Sequence, residues 1–289
     1  MKKRIKEFYD LISGKEMGIL PGNLAFSFFM AIIPILTLIF YLLTSFNLPM
    51  NIITQFLEST FPSGVVDLLQ PIFTDEMSVD SLITIIFGFI VAANGCGAII
   101  IASNTIYNFE NAPLLRRGVK SVFLTFIMIL LFAFVLIVPL FGTSIIGLLS
   151  SVFPFISQNE FFVDIIYFIL RVPVSFFVIL FLIKLLYTLS PDDRIPSKYT
   201  TKGAVFTTIS WIIATYVYSF YINNIADYNL VYGNLANIVI LLFWFYVLAY
   251  VFVLGLFMNK RNNEIGIEKT NSIKLDEIRK RVEQEKKKK

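Results

Sequence analysis

The sequence predicts an all-α integral membrane protein with six transmembrane helices and both termini on the cytoplasmic side. Three observations carry that reading. The 289 residues are 57% hydrophobic and only 15% charged, with 31 Phe and a mean hydropathy of +0.77, far more apolar than a water-soluble domain. Four stretches, Met17 to Leu57, Ser81 to Phe109, Ser121 to Asn159 and Tyr228 to Asn259, contain no Asp, Glu, Lys or Arg, and each is long enough to cross a bilayer. Between the apolar spans, connections that carry basic residues alternate with connections that carry none.

In chain order, residues 1–20 mix Lys2, Lys3, Arg4, Lys6 and Lys15 with Ile5, Phe8, Tyr9, Leu11 and Ile12 at helical spacing. This is the pattern of an amphipathic helix lying on a membrane surface. A signal peptide is the competing reading; it fits less well because the apolar run starts late, far exceeds an h-region and lacks a small-residue cleavage site. Six spans follow, at about 23–46, 81–104, 121–143, 162–187, 203–223 and 236–258 by length and hydropathy. The membrane domain therefore covers 21–259, and 260–289 forms a charged tail.

The connections after spans one, three and five hold no Lys or Arg, whereas Arg116, Arg117 and Lys120, then Arg194, Lys198 and Lys202, then Lys260 and Arg261 follow spans two, four and six. Basic residues in short loops stay on the cytoplasmic side, so the alternation sets the orientation. The first external connection, 47–80, repeats apolar residues at helical spacing on either side of Phe61-Pro62-Ser63-Gly64. It reads as two short amphipathic helices across the outer face, or as a plain interfacial linker. The tail carries 11 of the 24 Lys and Arg, which explains the basic balance without nucleic acid and suits a solvated helix near anionic lipid.

Several chemistries are excluded. With no His and a single Cys, Cys96, there is no imidazole base, triad, thiolate metal cage or intrachain disulfide. The cytoplasmic acids Glu110, Asp192 and Asp193 sit on short loops, a poor basis for a metal-dependent nuclease. No phosphate-binding loop is present, so ATP is not a direct driver. The residues imply no cofactor and no enzyme, with membrane lipids as the surroundings, and fix no oligomeric state.

Polar and small residues inside the spans mark candidate functional positions, because lipid-facing positions are filled by Leu, Ile and Phe. Span two contains Ala92-Ala93-Asn94-Gly95-Cys96-Gly97-Ala98. Ala93, Gly95 and Gly97 suit close helix packing, and Asn94 reads as a buried amide available to a substrate or to a neighbouring helix. Arg171 in span four is the one ionisable side chain well inside a span, so it is a candidate for an anionic ligand or, alternatively, snorkels outward. Pro34 and Pro173 fall at comparable depth in the first helix of each three-span half, in keeping with the opposed halves of transporters. The Tyr and Asn residues between Tyr221 and Asn234 suit an outer aromatic belt or a gate.

These residues also carry a resemblance from about Leu20 to Asn259. The run Asn23 to Pro34, the segment Asn104-Thr105-Ile106-Tyr107-Asn108-Phe109-Glu110, the junction Leu186 to Pro191 with Asp193-Arg194 and Gly203-Ala204, the loop Tyr228 to Gly233, and Trp244 with Gly255 together resemble the YihY/BrkB family of bacterial inner-membrane proteins. This chain departs in having Phe26-Ser27 where a Tyr-rich pair is common. Members have carried the label ribonuclease BN, which the residues do not support, and others are named for serum resistance, which implies a role in the envelope. The resulting expectation is a transporter or flippase for an amphipathic, anionic envelope constituent such as a lipid, with Arg171, Asn94, Asn104, Tyr107 and Glu110 along its path. The alternatives are a non-transporting scaffold for envelope proteins and, third, a membrane-embedded enzyme using Tyr107 and Glu110.

Overall fold

The structure, a computed structural model, describes residues 13–45, 82–130, 160–224 and 238–264. Most of the N-terminal surface helix, the external segment 47–80, Pro139, the loop 225–237 and the tail beyond 264 lie outside the described residues. So does the side chain of Arg171. The described residues are helical and contain no strand. In chain order the helices are α1, Lys15–Ser45; α2, Leu82–Tyr107; α3, 114–130; α4, Glu160–Leu189; α5, Ser197–Asn224; and α6, Ile238–Glu264. Four contain stretches long and apolar enough to cross a membrane: Lys15–Leu38, Ile86–Tyr107, Ser197–Tyr221 and Ile238–Glu264. In α4 the described apolar stretch is the shorter Phe176–Leu189.

The helices overrun the apolar spans at their polar ends. α1 starts at Lys15, behind a turn closed by Met17 N–H donating to Gly14 O at 3.1 Å. It runs on through Pro21 and Pro34, so residue 20 falls within a continuous helix rather than at a break between surface helix and span. Both prolines lie inside the helix, where each lacks the N–H that would bond the carbonyl four residues back and favours a kink there.

α2 stops at a defined cap. Asn108 takes the left-handed conformation, φ 58°, and Phe109 N–H donates to Asn104 O at 2.9 Å. That is the six-to-one bond of a Schellman ending, with Asn in the position glycine usually takes. Pro113 then opens α3, its carbonyl accepting from Arg117 N–H at 3.0 Å.

Close packing rests on small residues. α1 packs along α2, with Gly95 set against Ala31 and the Ser27 carbonyl, and Gly88 against Pro34. On the other flank of α2, Gly97 meets the Ser121 hydroxyl of α3 and the Cys96 thiol donates to Met128 Sδ at 3.5 Å. α6 presents the most completely buried run, Ala249, Phe252, Val253 and Leu256. Against it lie Tyr187 of α4 and Ala204 of α5, both fully buried.

Candidate functional site

Two places in the fold combine polar chemistry with membrane helices. The first is a junction at the end of the bundle where α2 stops and α3 and α5 start. Ser190-Pro191-Asp192, the turn after α4, is held there by the other three-helix half. Asn104 Nδ2 donates to Asp192 Oδ2 at 2.6 Å and to Asn111 Oδ1 at 3.0 Å, and Asp192 N–H donates back to Asn104 Oδ1 at 2.8 Å. The Ala112 amide donates to Asp192 Oδ2 at 3.0 Å. Lys120 Nζ reaches Asp192 Oδ1 at 2.9 Å and the carbonyls of Ser190 and Pro191 at 2.9 and 2.7 Å. The Ser103 and Ser190 hydroxyls meet at 2.6 Å in full burial.

The electrostatics are those of a lock. Partial burial alone would favour a neutral Asp192, yet the Ala112 amide, Lys120 and Asn104 outweigh it and hold the carboxyl below its ordinary range. All three ammonium protons of Lys120 have an acceptor, so the pair is bonded as well as charged.

Beside the junction, α4, α5 and α6 meet in a second knot. Tyr187 donates its hydroxyl proton to Phe252 O at 2.8 Å and lies 2.7 Å from Thr207 Oγ1. A Cβ at Gly255 would collide with both hydroxyls, and one at Gly203 would collide with Asn259 and the Gly255 carbonyl. Asn259 Oδ1 accepts from Gly203 N–H at 2.9 Å, while Asn262 Nδ2 donates to Tyr199 O at 3.0 Å. One face of α6 thus engages a donor and an acceptor four residues apart on α5.

The second place is the outward face of α2. Asn94 is exposed there, in the middle of an apolar helix, and its amide makes no side-chain hydrogen bond among the described residues. The expectation of a buried amide is therefore corrected: the burial on α2 goes to the glycine and alanine faces that contact α1 and α3, and Asn94 falls between them.

The expected path residues do not form one cluster. Asn104 is buried and committed to Asp192, about 15 Å along the helix from Asn94 at 1.5 Å rise per residue. Tyr107 is buried, stacked on Phe109 at 5.5 Å, and its hydroxyl has no partner among the described residues. Glu110 is exposed just past the α2 cap. Ala93 and Gly95 are buried, Gly97 and Pro34 half-buried, and Pro173 exposed. Sequence reasoning passed over Asp192, Lys120, Tyr187, Thr207 and Asn259 as site-forming residues. The available signal was a Pro-Asp-Asp turn directly after an apolar helix.

Fold and site define a multi-pass helical membrane protein whose polar chemistry is gathered at one end of the bundle and on one outer helix face. The chain belongs to the family described as Virulence factor BrkB, whose profile matches residues 10–274. It is 28% identical to a protein named ribonuclease-like, YfkH of Bacillus subtilis, over 87% of this chain and 92% of the relative. It is 22% identical to a UPF0761 membrane protein of Haemophilus influenzae, over 90% of this chain and 94% of the relative. A UPF0761 membrane protein of Pseudoalteromonas translucida is 33% identical over 32% of this chain and 31% of its own. No solved structure matches.

Proposed function

We propose that the protein spans the bacterial cytoplasmic membrane six times, with both termini inside, and moves an amphipathic, anionic envelope constituent such as a lipid between leaflets. It does so without nucleotide and without covalent chemistry. The basic connections after spans two, four and six support the orientation, and in that orientation the Asp192 junction is cytoplasmic. Membership of a membrane-protein family supports the setting.

The observation that carries the transport reading is Asn94, exposed on an apolar helix with its amide making no side-chain hydrogen bond among the described residues. A side chain of this kind at bilayer depth is costly unless something polar meets it. A transported head group supplies that partner, and the junction keeps the cytoplasmic ends of both halves together while it passes. In this scheme Arg171 of α4 attracts the anionic group from the other half.

The test is reconstitution into vesicles that carry a fluorescent phosphatidylglycerol, with a membrane-impermeant quencher added outside. Protein-containing vesicles should lose signal from the inner leaflet faster than empty ones. Equal loss in both would remove the reading.

A further inference from the structure

α2 is flanked on two sides and open on a third. Gly88 and Gly95 face α1, and Cys96 and Gly97 face α3. At about 100° per residue, Phe87, Ile90, Asn94, Ile101, Thr105 and Asn108 fall on one strip between those flanks. Each of these is exposed except Ile101, which is half-buried, and Ala98, on the same strip between Asn94 and Ile101, is buried. Its polar groups are Asn94 in the middle and Thr105 and Asn108 at the inner end, with Ala98 and Ile101 between them. Asn23, Phe26 and Met30 of α1 are exposed beside it, as are Gly118 and Val122 of α3, so the three helices share one outer surface with α2 at its centre.

α5 supplies an internal contrast. Its exposed side at the same depths is Ile209, Ile212, Ile213, Val217 and Phe220, with Tyr216. That is an ordinary lipid-facing side, and it carries no amide. Exposure on α2 at those depths is similar, 69% for Phe87 and 53% for Ile90, yet Asn94 interrupts it. Lys15 at the start of α1 and Arg116 and Arg117 at the start of α3 belong to the same end of these helices as Thr105 and Asn108, together with Glu16 and Glu110. Basic groups therefore outnumber acidic ones where the strip ends.

We infer that this strip is the binding track for the head group of a single anionic phospholipid-like molecule, which lies along α2 between α1 and α3 with its acyl chains still in the bilayer. In transit the head group meets Lys15, Arg116 and Arg117 at the cytoplasmic end and, about 20 Å further along α2, takes hydrogen bonds from the Asn94 amide. The substrate therefore stays at the protein–lipid boundary and does not pass through the bundle interior. The purpose of the track rests on the transport reading above, but its place on α2 does not.

The experiment uses full-length protein in vesicles containing phosphatidylglycerol with a photoreactive diazirine on its head group, irradiated and then mapped by peptide mass spectrometry. Lipid translocation is measured in parallel on the same preparations. Adducts should concentrate on α2 from Asn94 to Asn108 and on Asn23 to Met30, several-fold above the 209–220 face of α5. Asn94→Leu should abolish the excess and Asn94→Gln should keep it. Because Asn94 is exposed, both variants should fold with the thermal stability of the parent. Equal labelling of α2 and α5, or an excess indifferent to Asn94→Leu, would overturn the track. Concentrated adducts without translocation would uphold the track and remove the transport reading. Translocation with even labelling would do the reverse.

Discussion

Asn104 and Asp192 bind each other reciprocally: the amide of Asn104 donates to the Asp192 carboxylate at 2.6 Å, and the Asp192 backbone N–H donates to the Asn104 carbonyl at 2.8 Å. One residue ends α2 and the other follows α4, so this pair ties the first three helices to the last three. Asn104→Ala would leave the Asp192 amide and carboxylate short of partners in a site where Asn104 itself is fully buried. The expected cost is about 2–4 kcal/mol, read as an earlier thermal transition in detergent. Asn104→Asp should be worse, because it sets two carboxylates against each other.

The same junction predicts a pH dependence. Asp192 is held below its ordinary range in the folded protein. Its contribution is therefore complete above that range and is lost as the pH falls through the lowered value. Thermal stability of the parent should exceed that of Asp192→Asn at neutral pH, and the gap should close in acid as the parent carboxyl protonates. A gap that stayed constant into acid would show that the charge of Asp192 contributes nothing.

Gly255 should tolerate no side chain. The Tyr187 and Thr207 hydroxyls occupy the space its Cβ would need, and Tyr187 is fixed in turn by the Phe252 carbonyl. Gly255→Ala should cost at least the roughly 1–3 kcal/mol of an overpacked core, measured by the yield of monodisperse protein and its melting temperature. Tyr187→Phe removes the hydroxyl and leaves Thr207 and the carbonyl behind, at about 1–2 kcal/mol. In the double variant part of the Gly255→Ala penalty should disappear, since one of the two colliding hydroxyls is gone while Thr207 remains.

Cys96 should be inert in the folded protein. It is 3% exposed and faces Met128 and Leu124 on α3. A maleimide should label it only after denaturation, because the buried thiol is out of the reagent's reach. Labelling of the native protein at the denatured rate would contradict the α2–α3 packing.

The helices were legible in the sequence because their signal is length and hydropathy, which need no partner. Which side of a helix faces inward was not. α2 is apolar nearly all round, so its periodicity does not choose a face, and Asn94 read as an inward amide while the structure sets it outward. Helix neighbours were equally hidden. Gly203 and Gly255, 52 positions apart, say nothing separately, and Asp192 read as one acid on a short loop until Asn104, Ala112 and Lys120 were brought around it. Asn104 enters the expected path through the Asn104-to-Glu110 motif, and its partner Asp192 comes from the other half of the chain.

The central claim is that an anionic amphiphile sits on the open face of α2. The most direct test is lipid mass spectrometry on purified protein, with Asn94→Leu and Arg171→Ala as comparisons. The account predicts an anionic amphiphile enriched over the bulk membrane in the parent and depleted in both Asn94→Leu and Arg171→Ala. Bulk lipid in identical proportions in the parent and in Asn94→Leu would contradict it.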